Sequence, residues 1–408
     1  MKKFFLVTAT LALSILMGAQ SKTLRVDYAM SGDATSSSIS LLSLSSFDGW
    51  YGRSVNCDTL LLAGDGQISM RDAATGELLY IASFSTLFQE WQQQEEALHV
   101  RRCYENVYLL PMPEVPVNIT IQLFDKHRKV QTEFTHPVDP ADILIRPVPR
   151  SGYATKWIHR GGNSENTIDI AIMAEGYTRA EKAKFFKDAQ RAVDAIFSYE
   201  PFASYKDRFN FIAVATESEY SGVSVPHSED WRNTLLRSHY DTFYSARYLT
   251  TAELRKMHDC LAGLPYEHIL VLANTKNYGG GGVYNSYQIG SAGHPTFREV
   301  FVHEFGHSFA GLGDEYGYGD QLEPFYYPGV EPWEPNITTK ADFGSKWQDM
   351  IDAGVPGVGL FEGGGYMTEG VWRPVDECRM RTNSCPDFCP VCQRAIERMI
   401  KFYTEEYE

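Results

Sequence analysis

Val302–Tyr316 reads VHEFGHSFAGLGDEY. His303 and His307 stand four residues apart, which on a helix is about one turn and ~6 Å of rise. Both imidazoles then point to one side, a spacing that lets them share one Zn²⁺. Glu304 stands beside the first of them, where a carboxylate can take a proton from an attacking water and return it to a leaving amine. Val300, Phe301, Phe305 and Phe309 supply the buried face of a helix predicted from about Thr296 to Ala310. Gly311 and Gly313 can end that helix and turn the chain back. Asp314 is then placed to give a third, oxygen ligand, with one coordination position left open; Glu315 is its rival. Ser308 adjoins His307 in sequence, but adjacent helical residues do not face each other, so a serine nucleophile is disfavoured.

Around this helix the chain reads as α/β from residue 166 onward. Thr167–Met173, Phe209–Ala215 and His268–Asn274 are apolar runs of strand length. Thr178 with Glu181 forms a capping-box pattern ahead of a helix whose apolar residues recur at Phe185, Ala189, Val193 and Ile196. A second helix is predicted over Thr251–Leu261. Gly279–Gly282 lacks the Lys-Ser/Thr of a phosphate loop and reads as a flexible loop before a strand, Val283–Ile289. By its position that strand is a candidate sheet edge. His294 reads as a loop residue at the border of the cleft.

The N-terminal part differs. Thr23–Met30, Gln67–Arg71, Leu78–Phe84, Tyr104–Leu109 and Val117–Phe124 are short strand-like runs, separated in places by Gly-rich turns. A β-sandwich over 21–150 is expected, with Phe88–Ala97 as a short helix or polar loop. Pro137, Pro140, Pro147 and Pro149 lead into an expected linker at 151–165. Residues 1–20 carry Lys2 and Lys3, an apolar run to Met17, and then Gly18, Ala19 and polar residues. This is the pattern of a secretory signal peptide, too short to span a bilayer.

Composition narrows the function classes. The chain has 408 residues, a formal net charge of −15 and 43% hydrophobic residues. A phosphate backbone would be repelled overall, so nucleic acid is not an expected partner. No later segment is apolar enough to cross a membrane, and a monomer is expected. Seven cysteines are present, and Cys378, Cys385, Cys389 and Cys392 crowd into 15 residues. Export favours two disulfides among these four; a structural zinc is the alternative.

HEFGHSFAGLGDEY at 303–316, the glycines at 279–282, Cys378-Arg379-Met380-Arg381-Thr382 and Phe388-Cys389-Pro390-Val391-Cys392 together resemble the M64 family of metallopeptidases, called IgA peptidases. The resemblance runs from about residue 166 to 400, and the N-terminal part resembles the β-sandwich that precedes the catalytic domain in bacterial members. It implies a metzincin-like zinc peptidase domain over 166–408, with His303, His307 and Asp314 on the metal and Glu304 as general base. Met380 would be the Met-turn residue. The commoner metzincin spacing would put the third ligand at Gly313, which has no side chain to offer, so the turn here differs. Tyr316 or Tyr366 is the candidate oxyanion donor. The implied substrates are extracellular proteins, immunoglobulins and other glycoproteins among them. The reading from another class is a non-catalytic adhesion or glycan-binding protein with a structural metal site.

Overall fold

The computed structural model describes residues 22–318 and 324–406; the expected signal peptide lies outside them. The N-terminal part holds β1 (Lys22–Gly32), β2 (Ser37–Asp48), β3 (Gly66–Asp72), β4 (Leu78–Phe84), α1 (Leu87–Trp91), β5 (Arg102–Pro111), β6 (Val117–Phe124), β7 (Val130–Val138) and the short β8 (Arg146–Pro147). They form two four-stranded sheets, β5-β1-β2-β8 and β4-β3-β6-β7. Alternate residues of β6 (Val117, Ile119, Ile121, Leu123) and of β1 (Leu24, Val26, Tyr28, Met30) meet in one core. This is the period-2 burial of facing sheets.

Both faces of β1 are buried, because its other side docks on the second half of the chain. There Arg25 pairs with Asp27 at 2.7 Å and with Asp259 at 2.6 Å, while Arg255 reaches Asp27 at 3.0 Å. Two strands depart from the sequence reading. β2 is rich in serine and carries little apolar signal. β9 (Ala154–Arg160) lies within the stretch read as a linker and pairs antiparallel with the later strand Phe209–Ala215. It is an exposed edge strand, so no hydrophobic alternation marks it.

The second half is built on a six-stranded sheet ordered β13-β14-β12-β10-β11-β9, β13 being Gly280–Val283. β10 (Ile168–Glu175), β11 (Phe209–Ala215), β12 (His268–Ala273) and β14 (Tyr287–Ser291) run parallel. β10 is buried at every residue, as parallel strands covered on both faces are. α2 (Lys182–Ile196), opened by the Thr178/Glu181 capping box, covers one face with α4 (Phe297–Ala310) and α6 (Pro390–Thr404). α3 (Leu254–Leu261) covers the other. α5 (Gln348–Asp352) and the hairpin β15–β16 (Phe361–Gly364, Met367–Arg373) lie between α4 and α6 in the chain.

The glycine run corrects one expectation. Gly280–Val283 is itself a strand, β13, antiparallel to β14 and at the sheet edge; Tyr287–Ser291 is interior. The glycines let β13 lie directly against α4. A Cβ at Gly282 would stand 2.5 Å from the Glu304 carbonyl oxygen and 3.1 Å from His307 Cβ. One at Gly280 would stand 3.1 Å from Glu304 Cγ.

Candidate metal centre

α4 buries Phe301, Phe305 and Phe309 in the core, each side chain contributing roughly 1.5–3 kcal/mol. This anchors the opposite side, with His303 and His307, at the floor of a cleft of about 1040 Å³. Gly311 ends the helix at φ +60°, where L side chains are strained. The N–H groups of Gly311 and Leu312 return to the carbonyls of His307 and Gly306. Asn336 then holds the next turn from both sides, accepting from Gly313 N–H at 2.7 Å and donating to Gly313 O at 2.9 Å.

The turn brings Asp314 over the two imidazoles. Asp314 Oδ1 lies 3.0 Å from His303 Nε2 and 3.3 Å from His307 Nε2, and the two Nε2 atoms are 3.0 Å apart. Tetrahedral zinc with ligand bonds of about 2.0–2.1 Å leaves its donors about 3.4 Å apart, so these three atoms fit one metal ion. Two further observations support the fit. Each Nδ1 faces a backbone carbonyl, Arg379 O at 3.0 Å for His303 and Leu312 O at 2.5 Å for His307, which leaves the Nε2 lone pairs for a metal. Asp314 Oδ1 is buried with no hydrogen-bond partner among the described residues. Burial would raise the Asp314 carboxyl, but the two imidazoles outweigh it and hold it well below the usual range. Burial likewise opposes a charged His307, yet Asp314 and Glu304 raise it to about 9.

Glu304 lines the same cleft. Burial pushes its carboxyl up, against the pull of both imidazoles. Met380 is fully buried beneath α4; a Cβ at Gly306 would stand 2.9 Å from its sulfur. Tyr366 donates to Asp314 Oδ2, so this hydroxyl is committed to fixing the carboxylate. Tyr316 also lines the cleft. The sequence offered Tyr366 as an oxyanion donor, and the structure sets it on Asp314 instead; Asn336 and the Arg379 carbonyl were not singled out, since each acts through a contact made only in the folded chain.

Other residues fall away from the metal. His294 accepts from Thr296 N–H at 3.1 Å at the start of α4. Ser308 is buried and donates to Gln288 Oε1 at 3.1 Å. Glu315 turns from the cleft into the core, where its Oε1 accepts from Asn336 Nδ2 at 2.9 Å. It supports neither imidazole; backbone carbonyls do. The two disulfides that the cysteine spacing suggests are absent among the described residues, where all seven cysteines are free thiols. Three of the four clustered sulfurs converge on Glu315 instead, and Cys385 stays outside that group.

One wall of the cleft comes from the N-terminal sheets. Asp65, Glu90 and residues 124–128 face it. Tyr248 donates to Glu90 at 2.6 Å, Trp333 Nε1 donates to Asp65 at 2.9 Å, and Ser85 N–H donates to the Tyr284 carbonyl at 3.0 Å. Burial pushes the Glu90 carboxyl up to about 7.

Comparison with known families matches both halves. IgA Peptidase M64 matches residues 157–357 and 353–400, and Peptidase M64 N-terminus matches residues 18–135. No curated protein matches the chain. A histidine pair on a helix, a carboxylate between them at the floor of an open cleft, and a family match over most of the sequence lead to one conclusion: the chain belongs to the peptidase M64 family.

Proposed function

We propose that this peptidase is a secreted zinc endopeptidase acting on extracellular proteins, immunoglobulins and other glycoproteins being the class its family name suggests. The observation that carries the reading is the convergence of His303 Nε2, His307 Nε2 and Asp314 Oδ1 within 3.0–3.3 Å of one another, on a cleft that also holds Glu304. The signal-like residues 1–20 support export to the periplasm, the cell surface or beyond. Among the described residues no helix is long and apolar enough to cross a membrane.

His303, His307 and Asp314 would hold a zinc ion, each imidazole oriented by a backbone carbonyl; bound there it would supply Lewis-acid polarisation of the scissile carbonyl and acidify water. Glu304 takes the proton of the attacking water and passes it to the departing amine. Tyr366 fixes Asp314. Tyr316 is the better candidate to stabilise the oxyanion, since the Tyr366 hydroxyl already serves Asp314. Met380 beneath the helix, followed by the turn at 381–383 along the cleft, supports a metzincin-like arrangement. The open cleft between two lobes suits an extended segment of a protein chain, which supports internal cleavage over removal of terminal residues.

Cleavage profiling of the mature protein on a diverse peptide library tests this. Internal cleavage that stops with chelator and returns with added zinc is expected. Chelator-resistant cleavage, or none on any library with metal-loaded protein, refutes it.

A further inference from the structure

Glu315, Cys378, Cys389 and Cys392 form a second cluster, wholly outside the cleft. Their ligand atoms all lie within 4.8 Å of one another and all four residues are buried. Glu315 is 0% exposed, and its Oε2 has no hydrogen-bond partner among the described residues. Leaving such an oxygen unpaired in the interior is costly. Its other oxygen, Oε1, takes hydrogen bonds from Asn336 and, at 3.1 Å, from Cys392 Sγ.

The sulfurs are arranged as thiolate ligands are. Cys378 Sγ and Cys392 Sγ are 3.8 Å apart, and tetrahedral zinc with Zn–S bonds of about 2.3 Å leaves its sulfurs about 3.8 Å apart. Backbone N–H groups point at two of them. Met380 N and Cys389 N lie 3.5 and 3.3 Å from Cys378 Sγ, and Cys392 N lies 3.5 Å from Cys389 Sγ. Such donors favour charged sulfur. Cys389 and Cys392 open α6 around Pro390, a C-x-x-C turn at a helix N-terminus, where the helix dipole also favours negative charge.

We propose that these four residues form a closed structural zinc site. Three thiolates and one carboxylate fill the tetrahedron and leave no position for water, which sets it apart from a catalytic site. Binding is not a redox step. Each thiol releases its proton to solvent, its electron pair goes to the metal, and no oxidant is needed.

The location gives the site its purpose. Glu315 follows Asp314 directly, and its N–H donates to Met380 O at 2.9 Å. Cys378 is one residue before Arg379, whose carbonyl receives His303 Nδ1. A metal here would tie the post-helix turn, the Met380 segment and α6 together, and so hold both Asp314 and the Arg379 carbonyl in register with the cleft.

The test uses the full-length mature chain carrying His303→Ala and His307→Ala, so that loss of the cleft site cannot be confused with loss of this one. Loaded with Co²⁺, the double variant should bind one cobalt per chain and show thiolate-to-cobalt charge-transfer absorption. The parent chain should bind two. Adding Cys392→Ser should remove that absorption. If that variant fails to fold, alkylation of the parent protein decides. Cys378, Cys389 and Cys392 should resist the reagent with metal present and react after chelation, while Cys385 reacts in both states. Cobalt binding without a thiolate band overturns the proposal. So do equal alkylation with and without metal, and any of the three cysteines recovered in a disulfide.

Discussion

Asp314 and Glu315 are joined by one peptide bond and face different surroundings. Asp314 looks into the cleft with two imidazoles; Glu315 looks into the core with three thiols. The first group uses nitrogen and oxygen donors on one side of an open space. The second uses sulfur and is sealed on every side. Open coordination suits chemistry, since a substrate oxygen can enter; closed coordination suits bracing. The contrast comes from local geometry. Their side chains leave the backbone toward different groups, so two acids in sequence can serve two neighbouring sites without competing for one metal.

The largest effect should fall on the cleft alone. Glu304→Gln is nearly isosteric and cannot accept the water proton, so activity should fall about 100- to 10,000-fold while the metal content measured by elemental analysis stays unchanged. Activity within a few-fold of the parent would remove Glu304 from its role.

The two neighbouring acids should then separate. Asp314→Ala should release the cleft metal and leave the cooperative thermal transition in place. Glu315→Ala should keep the cleft residues but lower the melting temperature, since it uncovers a buried polar cluster. Metal titration and calorimetry on both variants check this, and the opposite pattern would exchange the two roles.

Tyr366→Phe removes the donor to Asp314 Oδ2. A loss of about 10–100-fold in metal affinity or activity is expected, as for other partners of metal ligands. Tyr316→Phe should leave affinity for the metal unchanged and lower kcat, because its hydroxyl is not committed to Asp314.

Gly282→Ala tests how closely β13 must approach α4. The new methyl would meet the Glu304 carbonyl and the His307 Cβ, and overpacking of this kind costs about 1–3 kcal/mol. Denaturant unfolding reads the stability, and kcat/KM reads the displacement of Glu304.

The last effect is a slope. His268 is buried between Phe309 and Tyr403, with ring centroids 5.2 Å from each, and burial pushes its pKa down to about 3. The unfolded chain binds a proton near pH 6.5 that the folded chain refuses. Its contribution is therefore complete above about pH 6.5 and is lost as pH falls toward 3. His268→Phe should flatten the stability profile over that window by about one proton, or about 1.36 kcal/mol per pH unit; an unchanged slope would show that the imidazole charges without unfolding.

The helix of His303 and His307 was legible in the sequence because two independent patterns agree there, a ligand spacing of one turn and an aromatic face at Phe301, Phe305 and Phe309. The parallel strands were legible as apolar runs. β2, β9 and β13 were not. Serine, an exposed edge and glycine each remove the side-chain alternation that marks a strand. Gly280–Val283 is a strand because α4 leaves no room for side chains there, a constraint that exists only after the helix has packed. The placement of Glu315 was hidden for the same reason, since its partners lie more than sixty residues away at Cys378, Cys389 and Cys392.

Glu90, Asp65 and residues 124–128 make one bank of the cleft, and His303, Glu304 and His307 make its floor. The two come from different parts of the chain. Substitutions on that bank would change which chains enter while His303, His307 and Asp314 stay in the other lobe. Grafting the first lobe of one relative onto the second of another would transfer preference only if the Tyr248–Glu90 and Trp333–Asp65 contacts travel with it.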